Sequence, residues 1–229
     1  MAENGKIEKM FDDIAPRYDM LNRLMSFGLD KLWRKKLLHE IKKFHVEKVL
    51  DIATGTADVA IAMAKEGYSV TGADISERML EIGRKKLATN NLTESTTLLL
   101  AAAESLPFED NTFDVVTVAF GVRNFADLHG GLSEARRVLR NGGHIAILEL
   151  SYPDNRLLLW LYKFYTLHII PFFCGLISGN AKAYKYLPNS ILRFPKSEKF
   201  ISILESSGFT KAKEKTLSFG SCRIYLAEK

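Results

Sequence analysis

The chain has 229 residues, 47% of them hydrophobic, with a formal charge of +5 and a pI near 9.1. That length supports one domain with a large core. Its two cysteines, Cys174 and Cys222, exclude a disulfide framework, and its five scattered histidines contain no H-x-x-x-H pair, so no metal is expected.

Basic residues gather at 31–43, 84–86, 136–140 and 211–215 between apolar positions. They read as solvated helix faces rather than a nucleic-acid stripe, and no nucleic-acid partner is expected. An anionic membrane surface is a second use for the same charge. The first residues are polar and lack an apolar h-region, so a cytoplasmic location is the expectation, with membrane association open.

Residues 6–44 read as an N-terminal helical segment with apolar faces around Met10, Phe11 and Ile14, then Leu32, Leu37, Leu38 and Ile41. From Lys48 onward strand and helix patterns alternate. Strands are predicted at 48–53, 68–73, 96–102, 113–120 and 143–150, with helices near 57–66, 76–89 and 127–139. Such alternation implies right-handed crossovers and a mostly parallel sheet covered on both faces. Ser76 and Asp127 are suited to cap two of the helices. The run 157–177 is apolar nearly all round and long enough to span a bilayer, but Lys163, His168 and Pro171 interrupt it and strands flank it. A broken helical lid over the C-terminal strand ends, serving a greasy substrate and touching the bilayer interface, fits better; a plain core helix accounts for part of the apolarity. A helix at 197–207 and strands at 209–217 and 221–227, joined through Ser218 and Gly220, suggest a terminal antiparallel hairpin. The expected organisation is one α/β domain over 1–229. It comprises a helical segment (1–45), a ligand-binding core (46–152), an apolar lid (153–195) and the final helix and hairpin (196–229).

The densest signal is the first strand and its turn, Val49 through Asp51, Ala53, Gly55 and Thr56 to Asp58, followed by a second strand ending at Asp74. A small-residue turn lets backbone approach a ligand, and an acid at the end of the next strand can take both ribose hydroxyls. The loop is not G-x-G-x-x-G, which favours a nucleoside-like ligand such as S-adenosylmethionine over a dinucleotide. An ordinary strand-to-helix turn is the alternative.

Several blocks carry a wider resemblance. The run from Tyr18 and Asp19 through Asn22, Ser26 and Gly28 to Trp33 and Arg34 is one. Phe120 to Asn124, Arg137 to Gly143, Leu148 to Pro153 and Tyr184 to Ser190 are others. Together they resemble the ubiquinone/menaquinone biosynthesis C-methyltransferases, while Ala103 to Phe108 and Phe113-Asp114 are shared more widely among S-adenosylmethionine enzymes. The resemblance implies a class I, Rossmann-like methyltransferase fold. It also implies S-adenosylmethionine as methyl donor and a polyprenylated quinol as acceptor, demethylmenaquinol being preferred over a benzoquinol. It places the donor on Asp51, Gly55, Thr56 and Asp74, its adenine beside Ala102 and Ala103, with Ala119 lining the site. The chain departs from the family pattern at Ala57, Ala102, Ala119, Asp30 and Asn141.

Methylation of a ring carbon requires a neighbouring phenol to be ionised or nearly so, hence a proton acceptor and a group that stabilises the developing phenolate. Arg123 and Asn124 follow the fourth strand at its C-terminal end, so Arg123 is expected to stabilise that charge and Asn124 to orient the ring or a water, a structural loop arginine being the alternative. Tyr18 can add a hydrogen bond from the N-terminal segment, and His168 in the apolar run is a candidate base or a buried histidine with an ordinary partner. Trp33, Trp160, Phe164, Phe172 and Phe173 are candidates for a prenyl channel or for core. Asp51 is expected to orient the loop, and Asp114 to cap or turn. Three other readings stay open: an O- or N-methyltransferase for a soluble acceptor, a non-catalytic quinone-binding scaffold, and a nicotinamide dehydrogenase. Head group, prenyl length and oligomeric state, a homo-oligomer included, are not legible.

Overall fold

In a computed structural model of the chain, residues 2–169, 186 and 189–229 are described. Three helices precede the first strand: α1 (Ala2–Ile14), α2 (Tyr18–Met25) and α3 (Leu29–Ile41). A 3-10 turn carrying Pro16 separates the first two. Gly28, at a φ of +75°, separates α2 from α3, a conformation that glycine adopts without a Cβ penalty.

The sheet then builds as the alternation predicts. Strands β1 (Lys48–Ile52), β2 (Ser69–Asp74), β3 (Thr96–Leu100), β4 (Phe113–Ala119) and β5 (Leu139–Leu150) are joined by parallel pairings. Helices α4 (Asp58–Ala64), α5 (Glu77–Thr89) and α6 (Leu128–Val138) link them. The Ser76 hydroxyl accepts from the Met79 N–H and the Asp127 carboxylate from the Gly130 N–H, so both expected caps form. After α7 (Arg156–Phe164) and a π-helical turn at Tyr165–Ile169, the C-terminal helix α8 (Ser197–Ser206) leads into β6 (Thr210–Leu217) and β7 (Cys222–Glu228). The strand order is β3-β2-β1-β4-β5-β7-β6, with β7 antiparallel to both neighbours.

Strand β5 starts four residues before the predicted 143. Leu139 already pairs with Phe113, and the register then shifts so that Val115 meets His144. The extra residues sit around Gly142, whose φ of +74° accommodates the bulge.

Alternating side chains feed two apolar layers. Leu50, Ile52, Val116 and Ile145 pack with α6 and α8 through Leu132, Ala135, Phe200 and Leu204. Val49, Val115 and Ala146 face the other way, onto Trp33, Leu37 and Ile41 of α3 and Val59, Ala60 and Met63 of α4. The strand order reverses between β1 and β4, and the crevice beyond their C-terminal ends is where open α/β sheets bind ligands. Asp114 stands at the other end of β4. Its Oδ2 accepts from the Glu47 and Lys48 N–H groups and its Oδ1 pairs with Arg140, a structural role.

Candidate active site

A cavity of about 60 Å³ opens at the switch point, lined by Ile52, Ala53, Gly55, Asp74, Ala103 and Ala119 among others. Asp74 is nearly buried; its Oδ2 accepts the Gly55 N–H at 2.8 Å and its Oδ1 the Ser76 N–H at 2.9 Å. Burial raises its pKa above the ordinary carboxylate value despite these bonds. Two backbone bonds leave a carboxylate further acceptor capacity, the requirement for holding a pair of ribose hydroxyls.

Asp51 lies beneath the turn and outside the cavity lining. Its two oxygens accept from the Thr54 hydroxyl at 2.7 Å and the Thr117 hydroxyl at 2.6 Å, so it ties β1 to β4 and orients the loop. Burial pushes its pKa up to about 6. The turn itself needs three left-handed residues, Ala53, Gly55 and Ala57, of which one is glycine. Ala57 fits because α5 presents Gly83 opposite it; a Cβ at Gly83 would lie 3.1 Å from the Ala57 methyl. Gly121 does the same for Ala53, since a Cβ there would lie 2.5 Å from the Ala53 Cβ.

A second, larger cavity of about 230 Å³ adjoins the first. Met25, Phe27, Leu29, Trp33, Tyr165 and Ile191 supply much of its apolar wall, and Arg123 a polar point on it. Phe11, Tyr18 and Phe120 line both cavities, so Tyr18 stands at the junction. Burial raises the Tyr18 pKa, against an opposing bond to Asn22 and the field of Arg123. Its phenol is therefore a neutral hydrogen-bond donor across the physiological range.

Arg123 is pinned. Its Nη1 donates to Glu149 Oε1 at 2.5 Å and to the Phe120 carbonyl at 2.6 Å, and its Nε to the Ser190 hydroxyl at 3.3 Å. Asn124 lines the smaller cavity, and its Oδ1 accepts from the Tyr186 phenol at 3.0 Å. The block Phe120 to Asn124 thus meets Tyr186 and Ser190, remote in sequence, beside the two cavities.

Of the residues singled out from sequence, Gly55, Asp74, Ala103, Ala119, Tyr18, Arg123 and Asn124 converge here. Thr56 does not face the cavity: its hydroxyl donates to Asp19 at 2.6 Å and accepts from Lys86 at 2.9 Å. Ala102 is turned into a bridge with Ser105, and Ala101 and Ala103 line the cavity in its place. His168 falls in the π-helical turn, but its side chain, like Phe172 and Phe173, lies outside the described residues. Trp33 lines the larger cavity, with its indole N–H on Ser218. Trp160 and Phe164 instead stack on each other and are 64% and 52% exposed, which corrects their candidacy as channel lining. Sequence reasoning gave no role to Glu149, Lys86 or Gly121. Glu149 had one signal, a carboxylate inside an otherwise apolar strand, where only a buried partner makes it tolerable.

A sequence profile described as the ubiE/COQ5 methyltransferase family matches residues 1–229. A ubiquinone/menaquinone biosynthesis C-methyltransferase UbiE from Geobacter sulfurreducens is 45% identical, covering 100% of this chain and 91% of its own. A demethylmenaquinone methyltransferase from Bacteroides fragilis is 42% identical over 99% of this chain and 94% of its own. Among solved structures, an S-adenosylmethionine-dependent methyltransferase from Thermotoga maritima superposes with a TM-score of 0.67 at 19% identity, covering 96% of this chain and 99% of that one. The [4+2]-cyclase SpnF superposes with a TM-score of 0.74 at 15% identity, over 99% and 96% of the two chains. These two similarities establish the fold; a cyclase among them illustrates why function has to be argued from the site.

Proposed function

The chain belongs to the ubiE/COQ5 methyltransferase family, and on that premise we propose that it is an S-adenosylmethionine-dependent C-methyltransferase of quinone biosynthesis, acting on demethylmenaquinol. The observation that carries the reading is the pair of adjoining cavities with Tyr18 on both. A small polar-ended cleft suits a nucleoside-like donor and a larger apolar one suits a prenylated ring.

The residues present fit the donor. Asp74 holds the ribose hydroxyls, Ala101, Ala103 and Ala119 leave room for a flat base, and Gly55 lets the backbone approach. When bound, the donor supplies a methyl group on a sulfonium, which needs alignment more than covalent help; such alignment is worth up to about 7–11 kcal/mol in favourable cases. On the acceptor side, Tyr18 donates a hydrogen bond to the ring oxygen that gains negative charge. Arg123, held in place by Glu149 and Phe120, presents its guanidinium to the same region. Asn124, its Oδ1 engaged by Tyr186, keeps its amide N–H groups for an acceptor hydroxyl or a water. His168 is one candidate for the proton acceptor.

We place the mouth of the larger cavity at the membrane–water interface. Phe27 stacks on Tyr165 at 5.4 Å with both on the cavity wall, and Phe27, Leu157 and Trp160 are 77%, 67% and 64% exposed. Among the described residues no helix is long and apolar enough to cross a membrane, so these side chains suit shallow contact.

Labelled methyl transfer from S-adenosylmethionine tests the reading, with product mass identifying the modified ring. Short-prenyl demethylmenaquinone should gain one methyl when reduced and none when oxidised, because only the reduced ring has a phenol to ionise. Donor binding without transfer to this quinol or its benzoquinol counterpart would overturn the reading.

A further inference from the structure

Two carboxylates tie the N-terminal helices down onto the donor cleft. Asp12 of α1 accepts from the hydroxyl of Ser76, the cap residue two positions after Asp74, at 2.6 Å. Asp19 of α2 accepts from the hydroxyl of Thr56, the residue after Gly55, at 2.6 Å. Lys86 of α5 completes the second tie: its Nζ lies 2.7 Å from Asp19, 2.5 Å from Asp58 and 3.0 Å from the Thr56 carbonyl. The side chains of Asp19, Asp58 and Lys86 are each about three-quarters buried, so the cluster is partly shielded from water and salt.

The same two helices build the wall of the larger cavity through Met10, Ile14, Leu21, Asn22 and Met25. They also put Phe11 and Tyr18 into the smaller one. With this clasp in place, Phe11 and Tyr18 stand on the wall shared by the two cavities. Lifting α1 and α2 to admit a donor removes one whole side of the acceptor cavity.

We propose that Asp19 and Lys86 are positioning residues that impose an order on the reaction: donor first, then acceptor. The methylated product departs before the spent donor. The inference rests on the assignment above of the smaller cavity to the donor and the larger to the acceptor. Neither Asp19 nor Lys86 is among the described residues lining these two cavities, so their effect passes through Tyr18 and the helix that carries it. An occupied acceptor cavity holds α2 down and traps the donor beneath it; the clasp transmits that hold to the Gly55-Thr56 turn.

The test is the release rate of labelled S-adenosylmethionine in a chase, with and without oxidised short-prenyl demethylmenaquinone, which fills the acceptor cavity but cannot be methylated. For the unmodified chain, saturating quinone should slow release by roughly tenfold, the factor a charge-assisted bond is worth. In Asp19→Asn and Lys86→Met the slowing should disappear, and Lys86→Arg should restore it, a rescue that a merely structural role in stability would not produce. Donor release indifferent to quinone in the unmodified chain, with donor binding and transfer intact, would overturn the ordered scheme and leave the proposed function standing. Slowing that survives in both variants would remove the clasp from it. Absence of donor binding by the unmodified chain would overturn the functional reading itself. Should a variant fail to fold, the comparison on the unmodified chain still decides the order.

Discussion

The guanidinium of Arg123 lies 2.5 Å from the carboxylate of Glu149, and the two side chains are buried at 6% and 0% exposure. Glu149 also accepts the Arg123 N–H at 3.2 Å and the Leu150 N–H at 2.7 Å. The positive charge is thereby largely compensated, which makes Arg123 a fixed hydrogen-bond donor rather than a free cation. Arg123→Ala strands the buried carboxylate and should cost about 3–5 kcal/mol of stability. The charge-neutral pair Arg123→Met with Glu149→Gln should recover most of that in urea unfolding, yet leave transfer down by about 10²-fold. Full transfer in the folded double variant would take Arg123 out of the chemistry.

Tyr18 is held neutral by burial, so its part is to donate, not to remove a proton. Tyr18→Phe should keep donor affinity and lower kcat by roughly tenfold, the upper range for one neutral hydrogen bond. Its pH–rate profile should run parallel to that of the unmodified chain below pH 10. Loss of an ionisation from the profile in the variant would make Tyr18 a base.

At Gly121 an added methyl meets the Ala53 methyl at 2.5 Å, and both residues line the smaller cavity, proposed above for the donor. Gly121→Ala therefore pushes the turns after β1 and β4 apart, costing about 1–3 kcal/mol of stability. Donor affinity by calorimetry should fall with it. Unchanged affinity would show that the donor does not sit between these turns.

Asp51 supplies a pH signature. Burial raises its pKa to about 6 in the folded chain, so the folded state binds this proton more tightly than the unfolded one. This group's destabilising charge is present at pH 7 and is relieved as pH falls through about 6 towards the ordinary carboxylate value. Asp51→Asn has no such relief. Between pH 7 and pH 5 the unmodified chain should gain on the variant by on the order of 1 kcal/mol in chemical denaturation. Carboxylates held low by ion pairs, such as Asp58 and Glu134, contribute equally to both and cancel. A constant difference would contradict a raised Asp51.

Most of the sheet was legible because its signal is local. Val49, Leu50 and Ile52, and likewise Val115 to Val118, are apolar runs between turn residues, and Ser76 and Asp127 mark helix starts within one turn. Asp74, marked in the sequence by its place at the end of the second strand, lines the smaller cavity. The ties that shape the site are not local. Asp19 reaches Thr56 over 37 residues, Lys86 reaches it over 30, and Arg123 meets Glu149 over 26. Each is a single polar residue with no period to betray its partner. The apolar run after Arg156 misled about Trp160 and Phe164 for a related reason: a helix that is greasy all round gives no polar side from which to infer direction. The resemblance put Thr56 on the donor, yet the left-handed Ala57 that follows it leads directly into α4, and its hydroxyl serves Asp19.

The central claim is that the acceptor ring occupies the cavity behind Tyr18, and filling that cavity tests it most directly. Met25 lines it from α2, away from the donor cleft. In Met25→Trp, S-adenosylmethionine should bind as it does to the unmodified chain, while methyl transfer to reduced demethylmenaquinone falls sharply through a raised KM. Undiminished transfer in the folded variant would contradict the placement of the acceptor.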